Sequence, residues 1–314
     1  MAIRVAEEWL HSCSGCEIAI LNTGEALLEL LNKIDFVHIP VLIDHKYYGQ
    51  LGDGEELTIP EAEVGLVSGG VANEEHIEVL REMRKKCKVL IALGTCATHG
   101  GLPSLINLWG MEEGLKEYYS TPTTDLCTVP NKIVPRPLDR VYAVDEKVEV
   151  DMLLPGCPPN PALIIEVLTA LIEGREPAIP TKSVCDTCPT RREGKGGVTM
   201  VRRFVQNAQY DPDKPIEEMR CLLEQGLMCM GPVTVAGCAS GAGRGAPSCI
   251  SARVPCRGCF GPVRREGNQM LDMMNALASN GIDYKSVIDR RSLLRFSGSH
   301  GLQRKLPVRK TTEE

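Results

Sequence analysis

The sequence predicts an α/β fold with a mostly parallel sheet, followed by an irregular cysteine-rich domain. Three observations carry this. Over its first half the 314-residue chain alternates short apolar runs with longer segments of helical periodicity. The second half is poor in periodic runs and dense in Gly, Cys and Arg, with four cysteines between Gly237 and Gly261. Between them lies Gly174-Arg175-Glu176-Pro177-Ala178-Ile179-Pro180, a helix-stopping glycine followed by two prolines. The expected units are therefore residues 1–180 and 181–314.

Phe36 to Ile43, Val64 to Val67, Lys88 to Leu93 and Asp151 to Leu154 read as strands. Apolar runs without polar alternation suit strands covered on both faces, and Glu74 to Lys86 and Pro161 to Ile172 are long enough to cover them as helices. One further helix is expected over Asn268 to Leu277. Elsewhere the second half has too little side-chain surface to offset its ordering entropy, so part of its core should come from something other than protein.

The most apolar stretches, Val89 to Leu93 and Leu163 to Ile172, fall short of the roughly 18 residues a membrane span needs. The N-terminus lacks the basic-then-apolar pattern of a secretory signal, which makes a reducing cytoplasm the expected compartment. Charge is unevenly divided. Residues 1–180 hold 14 basic and 28 acidic side chains, for −14, whereas residues 181–314 hold 21 and 13, for +8.

Fourteen cysteines are far more than packing requires, and in a reducing compartment short spacings point to metal or cluster ligation before disulfides. Three cysteine-bearing turns stand at strand ends: Trp9-Leu10-His11-Ser12-Cys13-Ser14-Gly15-Cys16, Leu93 to Gly101, and Leu154-Pro155-Gly156-Cys157-Pro158-Pro159. Sites in open α/β sheets form outside the carboxyl ends of the strands, so Cys13, Cys16, Cys96 and Cys157 can converge. Gly15, Gly94 and Gly156 would let backbone N–H groups approach an anionic, sulfide-rich cofactor closely. Spacing alone does not choose between zinc and an iron-sulfur cubane. Eight further cysteines make two more sets of four. Taken in order they divide into Cys185, Cys188, Cys221 and Cys229, then Cys238, Cys249, Cys256 and Cys259, with an interleaved pairing also open. Cys87 and Cys127 remain over and read as structural.

The motifs WLHSCSGC (Trp9 to Cys16), GTCATHGG (Gly94 to Gly101) and LPGCPPNP (Leu154 to Pro161) closely resemble those of nickel-iron hydrogenase small subunits. Among these the chain looks most like the small, or gamma, subunit of the methyl-viologen-reducing, deazaflavin-coenzyme-non-reducing type of methanogenic archaea. The resemblance implies a flavodoxin-like first domain with a proximal 4Fe-4S cluster on Cys13, Cys16, Cys96 and Cys157. It also implies a second domain with a distal cluster on Cys185, Cys188, Cys221 and Cys229 and a medial cluster on Cys238, Cys249, Cys256 and Cys259. No catalytic residue is expected in this chain, because the nickel-iron centre belongs to the partner large subunit. Two departures from periplasmic members stand out: Cys185 replaces a histidine and Cys249 replaces a proline, so all three clusters should be 4Fe-4S. A thiolate in place of imidazole adds negative charge and lowers a cluster's potential.

Within that family the resemblance favours electron delivery through a small 2Fe-2S subunit to heterodisulfide reductase, over a deazaflavin-coenzyme-reducing or NAD(P)-linked arrangement. Complex I subunits share the first fold but have adjacent cysteines where Cys13-x-x-Cys16 stands. A zinc-stabilised nucleic-acid module is disfavoured, since Phe204, Tyr210, Phe260, Tyr284 and Phe296 are too scattered for base stacking. Gly241-x-Gly243-x-Gly245 follows no strand and lacks dinucleotide spacing. Arg244, Arg253, Arg257, Arg264 and Arg265 could offset cluster charge as a group, and His11 and His99 flank the first motif as candidates for tuning its hydrogen bonds.

Overall fold

The computed structural model describes the whole chain except residues 1, 50, 126–127, 195–196, 203–207, 240–245, 265–266 and 301–314. Five parallel strands form its centre: β1 (Ile3–Trp9), β2 (Ile34–His38), β3 (Ala62–Ser68), β5 (Cys87–Leu93) and β7 (Met152–Leu154), in the order β2-β1-β3-β5-β7. Counting only these five, the order is 2-1-3-4-5, the doubly wound arrangement of flavodoxin-like sheets. A short antiparallel pair, β4 (Val71–Asn73) with β6 (Pro137–Tyr142), lies beside it.

Helices cover both faces because the strands are apolar on both. On one side α1 (Gly15–Leu21), α2 (Glu25–Leu31) and α6 (Pro161–Glu173) bury Ile20, Leu30, Ile164 and Val167 against Val5, Leu66, Ile91 and Leu154. On the other, α3 (Glu74–Lys86) packs Val79, Leu80 and Met83 against Ala6, Val67 and Leu90. The Asn73 side chain starts α3 by accepting from the His76 N–H at 2.8 Å. At its other end Arg84 binds Asp151 at 2.6 Å, and Asp151 in turn accepts from the Leu90 N–H at 2.7 Å. Asn160 caps α6 and Pro161 occupies its first turn; Gly174 closes it in the left-handed region at φ 68°.

Two expectations change. The run from Phe36 to Ile43 is strand only to His38, because Pro40 has no N–H to donate and Ile39 to Ile43 closes a turn, with the Ile43 N–H on the Ile39 carbonyl at 2.9 Å. The second half also has an apolar core of its own: α8 (Gln269–Ser279) buries Met273 and Leu277 against Leu222, Leu227, Met230 and Ile250. It is anchored in the first half through Phe260, which packs into the sheet core beside α6. Also present are α4 (Gly94–His99), α5 (Met111–Tyr119) and a single turn, α7 (Ser248–Ser251). No described helix is long and apolar enough to cross a membrane.

Gly65 sits in the middle of β3, where an added Cβ would lie 2.6 Å from Cys87 Sγ and 2.9 Å from Leu90 Cδ1. Gly65→Ala should therefore cost about 1–3 kcal/mol by overpacking, lowering the urea midpoint. Adding Cys87→Ala to that variant should recover part of the loss, and strict additivity of the two would contradict this packing.

Candidate metal centres

The carboxyl ends of β1, β3, β5 and β7 point to one edge of the sheet. The turn after β1 is tied to the end of β3 by a reciprocal pair of bonds between His11 and Gly70, each 3.1 Å. It carries Cys13, which is exposed, and Cys16, which is buried in the first turn of α1. Cys96 lies buried in α4 directly after β5, and Cys157 is half-buried in the turn after β7. These four stand together. Burial pushes the Cys16 thiol far above its ordinary range, followed by Glu17, Cys96, Cys13 and Cys157; Cys96 is pushed up to about 12 by burial and then Cys157. Gly94, at φ 83°, is required here because a Cβ would overlap Cys16 Sγ, and one on Gly101 would lie 2.7 Å from Cys96 Sγ.

The other eight cysteines line two cavities. Cys185, Cys188, Cys221 and Cys229 line a cavity of about 370 Å³ together with Cys256. Cys238, Cys249, Cys256 and Cys259 line another of about 480 Å³, which Cys157 also reaches. Cys256 thus borders both, and its backbone N–H donates to Cys229 Sγ at 3.3 Å. Burial raises Cys229 and Cys259 to about 12 each, and Cys185 to about 11 against the downward pull of Arg192. Among the described residues no group of three or more His, Cys, Asp or Glu side chains stands at the spacing of a single metal ion. The remaining described cysteine, Cys87, is buried at the start of β5 and packs against β3; Cys127 lies outside the described residues.

The flanking residues behave differently from the thiols. The His11 ring turns toward His76, 6.1 Å away, and His99 shares a 2.7 Å bond with the Thr98 hydroxyl. Arg264 pairs with Asp272 at 3.1 Å, and Arg253 donates to the Lys214 carbonyl at 2.7 Å; Arg244 and Arg265 lie outside the described residues. Arg192 is the cation beside Cys185 instead, and Thr190 places its hydroxyl 3.1 Å from Cys188 Sγ. Neither was singled out by spacing, since both read as ordinary loop residues.

Behind Cys16 lies a buried acidic pair. Glu7 and Glu17 are both fully buried, and Ser68 donates to Glu17 at 2.5 Å. Both Glu7 oxygens and one of Glu17 have no donor among the described groups. Two facing carboxylates can bond only if one carries a proton. Burial, and next Glu17, raise Glu7 well above its usual 4.5, which makes it the protonated member.

A flavodoxin-order sheet with four thiols at its carboxyl edge, joined to a half that gathers eight more, defines a multi-site thiol protein. The family model for the NADH ubiquinone oxidoreductase 20 Kd subunit matches residues 13–171. A subunit of the F420-non-reducing hydrogenase of Methanothermobacter marburgensis is 37% identical over 292 residues, covering 92% of this chain and 87% of that protein. A vhu subunit of the F420-non-reducing hydrogenase of Methanocaldococcus jannaschii is 37% identical over 296 residues, covering 94% of each. Among solved structures, an NAD+-reducing NiFe-hydrogenase in the H2-reduced state superposes with a TM-score of 0.50 at 35% identity, covering 57% of this chain and 96% of that one. The chain belongs to the NADH ubiquinone oxidoreductase 20 Kd subunit family and, within it, to the small subunits of nickel-iron hydrogenases.

The Glu7 assignment has a pH signature. A carboxyl raised by folding stabilises fully below its unfolded value, about 4.5, and loses that contribution as pH rises toward its folded value. Glu7→Gln lacks this loss, so its unfolding midpoint should exceed the parent's by a margin that grows above pH 4.5. A margin independent of pH would contradict a protonated Glu7.

Proposed function

We propose that the chain is the electron-transfer subunit of its hydrogenase and holds three 4Fe-4S clusters. Cys13, Cys16, Cys96 and Cys157 would hold the proximal one, Cys238, Cys249, Cys256 and Cys259 the medial, and Cys185, Cys188, Cys221 and Cys229 the distal. The observation that carries this is that the medial group adjoins both others: Cys259 and Cys157 line one cavity, and the Cys256 N–H donates to Cys229 Sγ. When bound, such clusters supply one-electron carriage between H2 oxidation at the partner's nickel-iron centre and an external acceptor.

The residues fit that cofactor. Each group offers four sulfurs, the soft donors iron-sulfur clusters take, and glycines at 94 and 101 leave the sulfurs of Cys16 and Cys96 uncrowded. A 4Fe-4S core of about +2 would offset the burial that otherwise keeps these thiols protonated. Arg192 beside Cys185 and the Thr190 hydroxyl at Cys188 would each temper the thiolate charge at the distal site. Exposed Cys13 leaves the proximal group open to the surface, where a large subunit would dock.

The relatives that span the chain are named as F420-non-reducing, which supports a protein acceptor here: a small 2Fe-2S subunit and, beyond it, heterodisulfide reductase. Isolation of the native complex without air should co-purify those chains. Metal analysis should give about twelve iron and twelve acid-labile sulfide per copy of this chain. About three zinc without sulfide would overturn the proposal in favour of structural sites. Cys185→Ala should lose up to about four iron, the content of one cubane, whereas Cys87→Ala should keep the full complement. Equal iron content in the two would remove Cys185 from the ligand set.

A further inference from the structure

Adjoining thiol groups meet at two joints. Between the groups of Cys229 and Cys256 the Cys256 N–H donates to the Cys229 sulfur at 3.3 Å, and the Met230 N–H returns to the Cys256 carbonyl at 2.9 Å. At the other joint Cys157 and Cys259 line one cavity. The second joint also has a side chain fastening both its strands of chain. The Thr95 hydroxyl donates to the Cys259 carbonyl at 2.5 Å and accepts from the Gly156 N–H at 2.8 Å. Thr95 also donates its own N–H to the Gly156 carbonyl at 2.9 Å.

Thr95 is 1% exposed, so no water replaces these bonds if the hydroxyl is lost. Its chemistry is specific: one atom must accept from an amide and donate to a carbonyl at once, which a hydroxyl can do and a methyl cannot. The residues it fastens are next to, or are themselves, cysteines of two different groups. Gly156 precedes Cys157 in the first; Cys259 belongs to the second. Gly156 and Cys259 are 103 positions apart along the chain, and Thr95, beside Cys96, belongs to a third stretch, α4.

We propose that Thr95 is a positioning residue that fixes the separation and alignment of the proximal and medial sites, and thereby the rate at which an electron crosses between them. The proposal rests on the three-cluster reading. The step it governs is a one-electron transfer: one site loses the electron that the other gains, with no bond or proton moved. H2 at the large subunit supplies the electrons, and added viologen takes them up.

The test compares Thr95→Val, which keeps the shape without the hydroxyl, with Thr95→Ser, which keeps the hydroxyl, in the intact hydrogenase complex. Both should retain about twelve iron per chain. In Thr95→Val the magnetic splitting between the reduced proximal and medial clusters in electron paramagnetic resonance should change. H2-dependent viologen reduction should slow by up to about tenfold, the population cost of losing one buried hydrogen bond. Thr95→Ser should show the parent's splitting and rate, and Thr95→Ala provides a second hydroxyl-free variant should the valine chain fail to accumulate. Parental splitting in a hydroxyl-free variant, or failure of serine to restore it, would overturn the role of Thr95 while leaving the clusters in place. A parent complex lacking about twelve iron would instead remove the cluster reading, and the proposal with it.

Discussion

The constraint on which the structure turns is that thiolates cannot be buried four at a time unless something positive lies among them. Burial holds Cys16, Cys96, Cys229, Cys256 and Cys259 in their protonated forms, and each group's sulfurs raise one another further. Neutral thiols would pack as small apolar groups and need no such grouping. Their collection into three sets, against glycines that leave the sulfurs of Cys16 and Cys96 room, is what the proposed iron-sulfur cores account for. Ligation and the folding of the second half would then be linked, since the cores favour the conformation that gathers the sulfurs.

The sheet turns this constraint into geometry. Its strand order changes direction between β1 and β3, and the turn bearing Cys13 and Cys16 leaves β1 at that crevice, where open α/β sheets form their sites. Cys96 and Cys157 follow β5 and β7 at the same edge. Phe260, next to Cys259 and packed into the core of the first half, then brings the second set of sulfurs to the first. Gly237 is needed opposite it, because a Cβ there would stand 2.5 Å from the Phe260 ring. The two halves are therefore joined where the proposed electron path crosses from one to the other.

Much of this was legible in the sequence. Helices α3 and α6 were read over Glu74 to Lys86 and Pro161 to Ile172 from their helical periodicity, and the structure adds the caps Asn73 and Asn160. Strands β3, β5 and β7 were visible as unbroken apolar runs. Strand β1 was harder to see because Glu7 and Glu8 occupy consecutive buried positions on opposite faces, a pattern that reads as solvated surface. Glu8 is satisfied there by His38 at 2.9 Å and Tyr47 at 2.7 Å, partners 30 and 39 positions away. Cysteine spacing marked the turns that follow β1, β5 and β7. What spacing could not reveal were the polar residues beside them: Thr95, Thr190 and Arg192 acquire their meaning only from tertiary neighbours, and the apolar core around α8 is assembled from short turns without periodicity.

The central claim is that these sulfurs form three iron-bearing sites in a row through one chain. X-ray diffraction from anaerobic crystals of the complex, collected on both sides of the iron absorption edge, tests it most directly. The account predicts three anomalous peaks within this subunit, one at each cysteine group, with the peak at Cys238, Cys249, Cys256 and Cys259 between the other two. Fewer peaks, or iron bound away from these sulfurs, would contradict it.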